Sequence, residues 1–170
     1  MHFRSNTMRI LAWVVLACLL LPLCGCQKGL SKADAESILV DAIREIAGLE
    51  DGAEDSMMNI IVDGCSIDVQ ACQKNDDGFL VDVNVKNHDA IAALNTLAEE
   101  KNMQQSEFLY RFEEIFADSE IVENSFQIQL LSADGEYEAQ IDMIVLDACL
   151  GGFLRYVDNM LTETEGLNND

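Results

Sequence analysis

The chain has 170 residues, with 10 basic and 31 acidic side chains and a formal net charge of −21 at pH 7. A surface of that sign repels nucleic acid and gains nothing from releasing phosphate counterions, which argues against a nucleic-acid partner. The length suits one domain with a core of its own, without metal or disulfide staples.

The first element is a leader. Arg4 and Arg9 flank an apolar run of about 14 residues, Ile10 to Leu23, that ends in Leu23-Cys24-Gly25-Cys26. A membrane span needs roughly 20 residues, whereas a charged n-region, a short h-region and small residues before a cut make a secretory signal peptide. The ending resembles the lipobox of bacterial lipoproteins, with Leu23 three places before the modified cysteine, Cys24 in the middle and Gly25 just before it. That resemblance implies removal of residues 1–25 and a covalent, thioether-linked diacylglycerol on Cys26. Two or three acyl chains would make the anchor permanent, because each buried CH₂ contributes about 0.8 kcal/mol and a single chain binds only reversibly. The expected location is the extracytoplasmic face of the cell membrane.

Both leader arginines leave with it, so the mature part keeps eight basic and 31 acidic residues, a formal charge of −23. Such a body is pushed from anionic headgroups within a Debye length of about 8 Å. Residues 26–30 are the lipidated cysteine and a short tether, which holds the folded part near its membrane. Trp13 and Pro22 belong to the leader, so the turns of the mature chain rely on Gly, Asn and Asp.

Ser31-Lys32-Ala33-Asp34 reads as a variant capping box, with Ser31 as N-cap. It opens an amphipathic helix through Ala35, Ile38, Leu39, Ala42, Ile43 and Ile46 that ends near Gly48. Glu50 to Ser56 is an acidic loop, and Met57 to Val62 is an apolar piece too short for its spacing to assign. Two alternating runs, Ile67/Val69/Ala71 and Val81/Val83/Val85, joined by Lys74-Asn75-Asp76-Asp77-Gly78, predict a β-hairpin. Asn87-His88-Asp89 then caps a second helical region, carrying Ile91, Leu94 and Leu97 and later Phe108, Leu109, Phe112, Ile115 and Phe116; an interruption at Asn102 to Gln105 is left open. A second hairpin pairs Phe126/Ile128/Leu130 with Tyr137/Ala139/Ile141 around Ala133-Asp134-Gly135. A last helix runs from about Asp142 to Thr162, unusually apolar between Met143 and Leu154. Gly151-Gly152 inside it costs about 1 kcal/mol per glycine against alanine, which signals close packing or a break. Residues 163–170 form a polar tail. The domain, 31–162, is therefore expected to be α+β: a four-stranded antiparallel sheet from two hairpins packed with helices, in the order α-ββ-α-ββ-α.

With this order, the chain resembles small secreted lipoproteins of Gram-positive bacteria that carry a cystatin-like or NTF2-like domain. The likeness rests on Val83-Asn84-Val85-Lys86-Asn87-His88-Asp89, on the late turn Asp134-Gly135-Glu136-Tyr137, and on Leu150-Gly151-Gly152-Phe153. That shape serves enzymes, binders and structural parts alike and so carries little function by itself; the expected role is a non-enzymatic binder. The partner would be another envelope protein, held through the sheet or the last helix, or a small apolar ligand between sheet and helices. Met57-Met58 and the stretch from Met143 to Leu154 are the candidate contact surfaces, with burial in the core as their other reading.

Cys65, Cys72 and Cys149 remain after the leader, an odd number for an oxidising compartment. Cys65 and Cys72 on one strand would be roughly 23 Å apart, well beyond the 7 Å or so that a bridge tolerates. A disulfide from Cys72 or from Cys65 to Cys149 stays open, and so do three buried thiols. His88, the one histidine outside the leader, reads as a solvated residue of the capping region, because no nucleophile motif accompanies it. Glu50, Asp51, Glu54 and Asp55 do not have the spacing of an EF-hand loop, and no cysteine–histidine metal motif is present, so no metal or other cofactor is expected. The contrasting function is an isomerase- or hydrolase-like enzyme with a carboxylate base, but Asp68, Asp82, Asn84, Gln127 and Gln129 fall on the strand face opposite the apolar one. Asp142 and Asp147 escape that test.

Overall fold

The computed structural model describes residues 29–49, 56–100 and 103–167, with side chains described to 162. The lipobox residues Leu23, Cys24, Gly25 and Cys26 and the acidic loop residues Glu50, Asp51, Glu54 and Asp55 lie outside them. The chain divides into two units, Met1–Ser31 and Lys32–Asp170, and the sheet belongs to the second.

Helix α1, Lys32–Ile46, buries Ala35, Leu39 and Ile43, a stripe at four-residue spacing with polar residues opposite. It ends as the sequence predicts. Gly48 adopts φ +71°, and Gly48 N–H reaches Glu45 O at 3.0 Å while Leu49 N–H reaches Arg44 O at 2.9 Å, the paired bonds of a Schellman cap. The unassigned piece is helix α2, Met57–Asp63, whose N-cap Ser56 accepts from Asn59 N–H at 3.1 Å. Two turns are too few for periodicity to reveal a helix; the cap is its better signal.

The sheet has the order β1-β2-β3-β4, antiparallel throughout. Its strands are β1 Ser66–Lys74, β2 Gly78–His88, β3 Ile121–Ala133 and β4 Glu136–Gln140. Val81, Val83, Val85 and Asn87 of β2 stand opposite Ile128, Phe126, Asn124 and Val122 of β3, which together define the inner face. The outer face is solvated and laced by side chains: Gln127 donates to Asp82 at 2.8 Å, Ser125 to Asn84 at 2.8 Å, and Asn75 to Gln129 at 2.8 Å. One register detail differs from the sequence reading. A bulge at Gln70 shifts β1, so Ile67 and Val69 face Val85 and Val83 as expected, but Cys72 faces Val81 while Ala71 pairs with Asp82 on the outer side. One extra residue flips every later side chain to the other face.

The predicted second helical region is two helices, α3 Ala90–Glu99 and α4 Phe108–Asp118, with a 3₁₀ turn at Gln105–Glu107. Asp89 alone is the N-cap of α3, accepting from Ala92 N–H at 2.9 Å, and Arg111 of α4 pairs with Glu100 and Glu114. The predicted last helix is also two, α5 Met143–Cys149 and α6 Phe153–Leu167, and α6 runs on into the segment expected as a polar tail. The helices cover one face of the sheet: α1 lies against β1 and β4, α5 against β2, and α3 joins α4 and α6. The core is what lies between, including Leu39, Ile61, Val81, Val83, Phe112, Leu130 and Leu150. This is the α+β architecture read from the two hairpins. Among the described residues no helix is long and apolar enough to cross a membrane.

Candidate functional site

The strand that begins so regularly with valines ends in a polar side chain. Asn87 occupies the next inward position after Val81, Val83 and Val85 and is only 2% exposed. An amide there must find partners, and it does. Its Nδ2 donates to Ile61 O at 3.0 Å and to Cys149 O at 2.6 Å, while Oδ1 accepts from His88 N–H at 2.8 Å. Asn87 thus fastens the ends of α2 and α5 to the end of β2.

Next to this latch the structure brings together Cys65 and Cys149. The Cys149 thiol hydrogen-bonds to the Cys65 sulfur, which holds Cys65 below the ordinary thiol value against the opposing effect of burial. Cys149 is pushed up by that same bond, by burial and by the charge on Cys65. All three cysteines among the described residues are thiols here; Cys149 is buried, and Cys72 lies farther along β1, half-buried on the inner face.

His88 closes β2 rather than capping a helix. Its Nδ1 contacts Ser119 O at 3.0 Å; a carbonyl only accepts, so Nδ1 carries the proton. The ring packs 5.3 Å from that of Phe116 at the floor of a cleft of about 730 Å³ between α2 and α4 that also includes Tyr110 and Glu113. Met57 and Met58, one of the two candidate contact surfaces, are half-buried in the first turn of α2. Among the described residues no three His, Cys, Asp or Glu side chains are grouped so as to hold a metal ion.

The other candidate surface, Met143 to Leu154, is divided by the fold. Val145, Leu146, Cys149 and Leu150 go to the core, but Met143 and Ile144 stand 66% and 72% exposed at the start of α5. They form one lip of a groove of about 710 Å³ that runs between α5, α6 and the first half of β3. Its floor includes Phe126 and Asn124 from the inner sheet face, and its far wall includes Phe153, Leu154 and Val157. The chain builds this trough through two corners. Asp142 caps α5, accepting from Ile144 N–H at 2.9 Å and Val145 N–H at 2.8 Å. Asp147, buried, accepts from Arg155 N–H at 3.1 Å and Arg155 Nε at 2.5 Å, which fixes the angle between α5 and α6. Asp142 and Asp147 therefore act as cap and corner post. The sequence reading missed β3's part in the groove, because Ile121 to Ser125 show no alternation where neither face is fully covered.

No family model, curated protein or solved structure matches this chain.

Proposed function

We propose that this chain is a lipoprotein anchored through Cys26 on the extracytoplasmic face of the cell membrane, and that its folded part binds another envelope protein without catalysis. The observation that carries the binding role is the apolar groove between β3, α5 and α6. It is open along its length, with exposed apolar lips that a soluble surface gains nothing by keeping. The cystatin-like or NTF2-like kinship is part of the same reading, supported by a four-stranded antiparallel sheet packed on one face by helices. An enzyme would need a carboxylate on the inner face, whereas Asp82 bonds Gln127 on the outer one and Asp147 is held by Arg155.

The anchor is tested by feeding an alkynyl fatty acid to a bacterial host that exports the chain. Label on the mature protein, lost in Cys26→Ala and retained in Cys24→Ala, is the expected outcome; label on neither form contradicts it. The binding role is tested by native mass spectrometry of the exported protein. A mass free of small molecules fits a protein partner, whereas a retained apolar adduct transfers the groove to a small ligand.

The thiol pair leads to a further expectation in that compartment. A disulfide oxidant takes two electrons and two protons from Cys65 and Cys149 and is itself reduced to a dithiol, leaving one bridge. Exported protein should then weigh two hydrogens less than the reduced chain and expose a single reactive thiol, Cys72. Three alkylated cysteines without prior reduction, or a bridge through Cys72, would show that the pairing is wrong.

A further inference from the structure

Four strands leave edges, and proteins blunt edges to prevent stray pairing. Two of the edges here are blunted in recognisable ways: β1 carries the bulge at Gln70, and β4 is only five residues long. The third stretch is not. β3 pairs with β2 without a break from Ile121 to Leu131, but β4 covers its other side only from Gln129 to Ala133. The chain leaves β4 at Gln140 and turns into α5 at the Asp142 cap. Among the described residues, Ile121 to Ile128 therefore offer an unpaired strand edge with no proline and no bulge.

That edge borders the apolar groove. Val122, Asn124 and Phe126 point to the inner face, and Val122 is 42% exposed although its β2 partner, Asn87, is buried. From these two facts together we infer that the groove receives an extended segment of the partner protein, which adds to the sheet as a fifth strand along Ile121 to Ile128. This rests on the binding role proposed above and specifies the partner's chemistry. Side chains of an added strand alternate between faces. Those turned inward meet Phe126, Met143, Ile144 and Val157 and must be apolar. Those turned outward lie beside Ile121, Glu123, Ser125 and Gln127 of β3, with Asp82 on β2 and Asp68 on β1 farther across the same face, where Lys86 engages only Glu123, at 3.4 Å. The acidic excess of that face and of the whole chain favours basic residues there. A second copy of this chain is disfavoured by charge, since each mature copy carries −23. The occupant is thus a segment alternating apolar residues with lysine or arginine.

The test uses the full exported lipoprotein in detergent micelles and a capped seven-residue peptide of alternating lysine and valine, followed by fluorescence anisotropy. Saturable binding is expected. It should weaken at least tenfold when the peptide's alternate amides are N-methylated, which removes strand pairing, and at least tenfold when its lysines become glutamates. The Ile144→Glu variant, altered at an exposed lip, should lose a similar factor while unfolding at the same urea concentration. Absence of saturable binding, or equal binding of the peptide N-methylated on either register, overturns the added strand. So does a dimer of the protein alone that excludes the peptide. If the peptide fails while native mass spectrometry finds an apolar adduct, the strand proposal falls and a binding role survives. If the peptide fails and the mass is clean, the strand proposal falls and the groove is left to a protein partner that docks without adding a strand.

Discussion

Replacing Asn87 by leucine should cost about 2 to 6 kcal/mol, a large part of the stability of a marginal domain. The two side chains have similar volume, so packing changes little. What is lost is the amide that serves Ile61 O at 3.0 Å and Cys149 O at 2.6 Å. Both carbonyls would stay buried without a donor, and each orphaned group costs about 1 to 3 kcal/mol. Asn84→Ala, two residues earlier on the outer face, is the control. It removes one acceptor for Ser125 at a position open to water and should change stability by no more than about 0.5 kcal/mol. Urea unfolding of the two variants measures the difference. Equal midpoints would mean that water reaches the Asn87 site and that the latch is not a latch.

Gly151→Ala should be nearly as damaging, and its cause can be separated by a second glycine. Gly151 has φ +58°, and a Cβ there would lie 2.3 Å from His88 O and 3.1 Å from Ala90 N. The carbonyl of Gly151 also accepts from Ala90 N–H at 2.9 Å, so the corner cannot move off without breaking that bond. A left-handed alanine costs about 1 to 2 kcal/mol, and overpacking against backbone adds about 1 to 3 kcal/mol. Gly48 has φ +71° but nothing within 4 Å of its Cβ position. Gly48→Ala should therefore show the conformational cost alone, about 1 kcal/mol. Thermal melts of both variants test this; matching losses would show that the close approach to His88 contributes nothing.

These two positions mark where reading the sequence succeeded and where it ran short. Alternation of valines on β2 was enough to predict the hairpin and its inward face, because a half-buried antiparallel strand imposes period two. The bulge was not legible, since Gln70-Ala71-Cys72 reads equally well in either phase. The glycine pair admitted close packing or a break, and both occur: Gly152 N–H closes α5 onto Asp147 O at 2.8 Å while Gly151 touches β2. Asn87 looked like part of a helix cap because Asp89 follows it, and Asp89 does cap α3. Only the fold reveals that Asn87 points inward, to carbonyls 26 and 62 residues away in sequence. The groove was half legible. Its α5 lip was flagged by an apolar run, but the β3 half lacks a pattern because, among the described residues, Ile121 to Ile128 have a neighbouring strand on one side only.

The most direct test of the account is amide hydrogen exchange of the exported lipoprotein with and without the lysine–valine peptide. An added strand must hydrogen-bond alternate residues of 121–128 and leave the already paired amides of β1 and β2 unchanged. Protection gained at alternate positions of that segment, together with slower exchange near Ile144, is the predicted result. Unchanged exchange along β3, or protection confined to the cleft around His88, would contradict it.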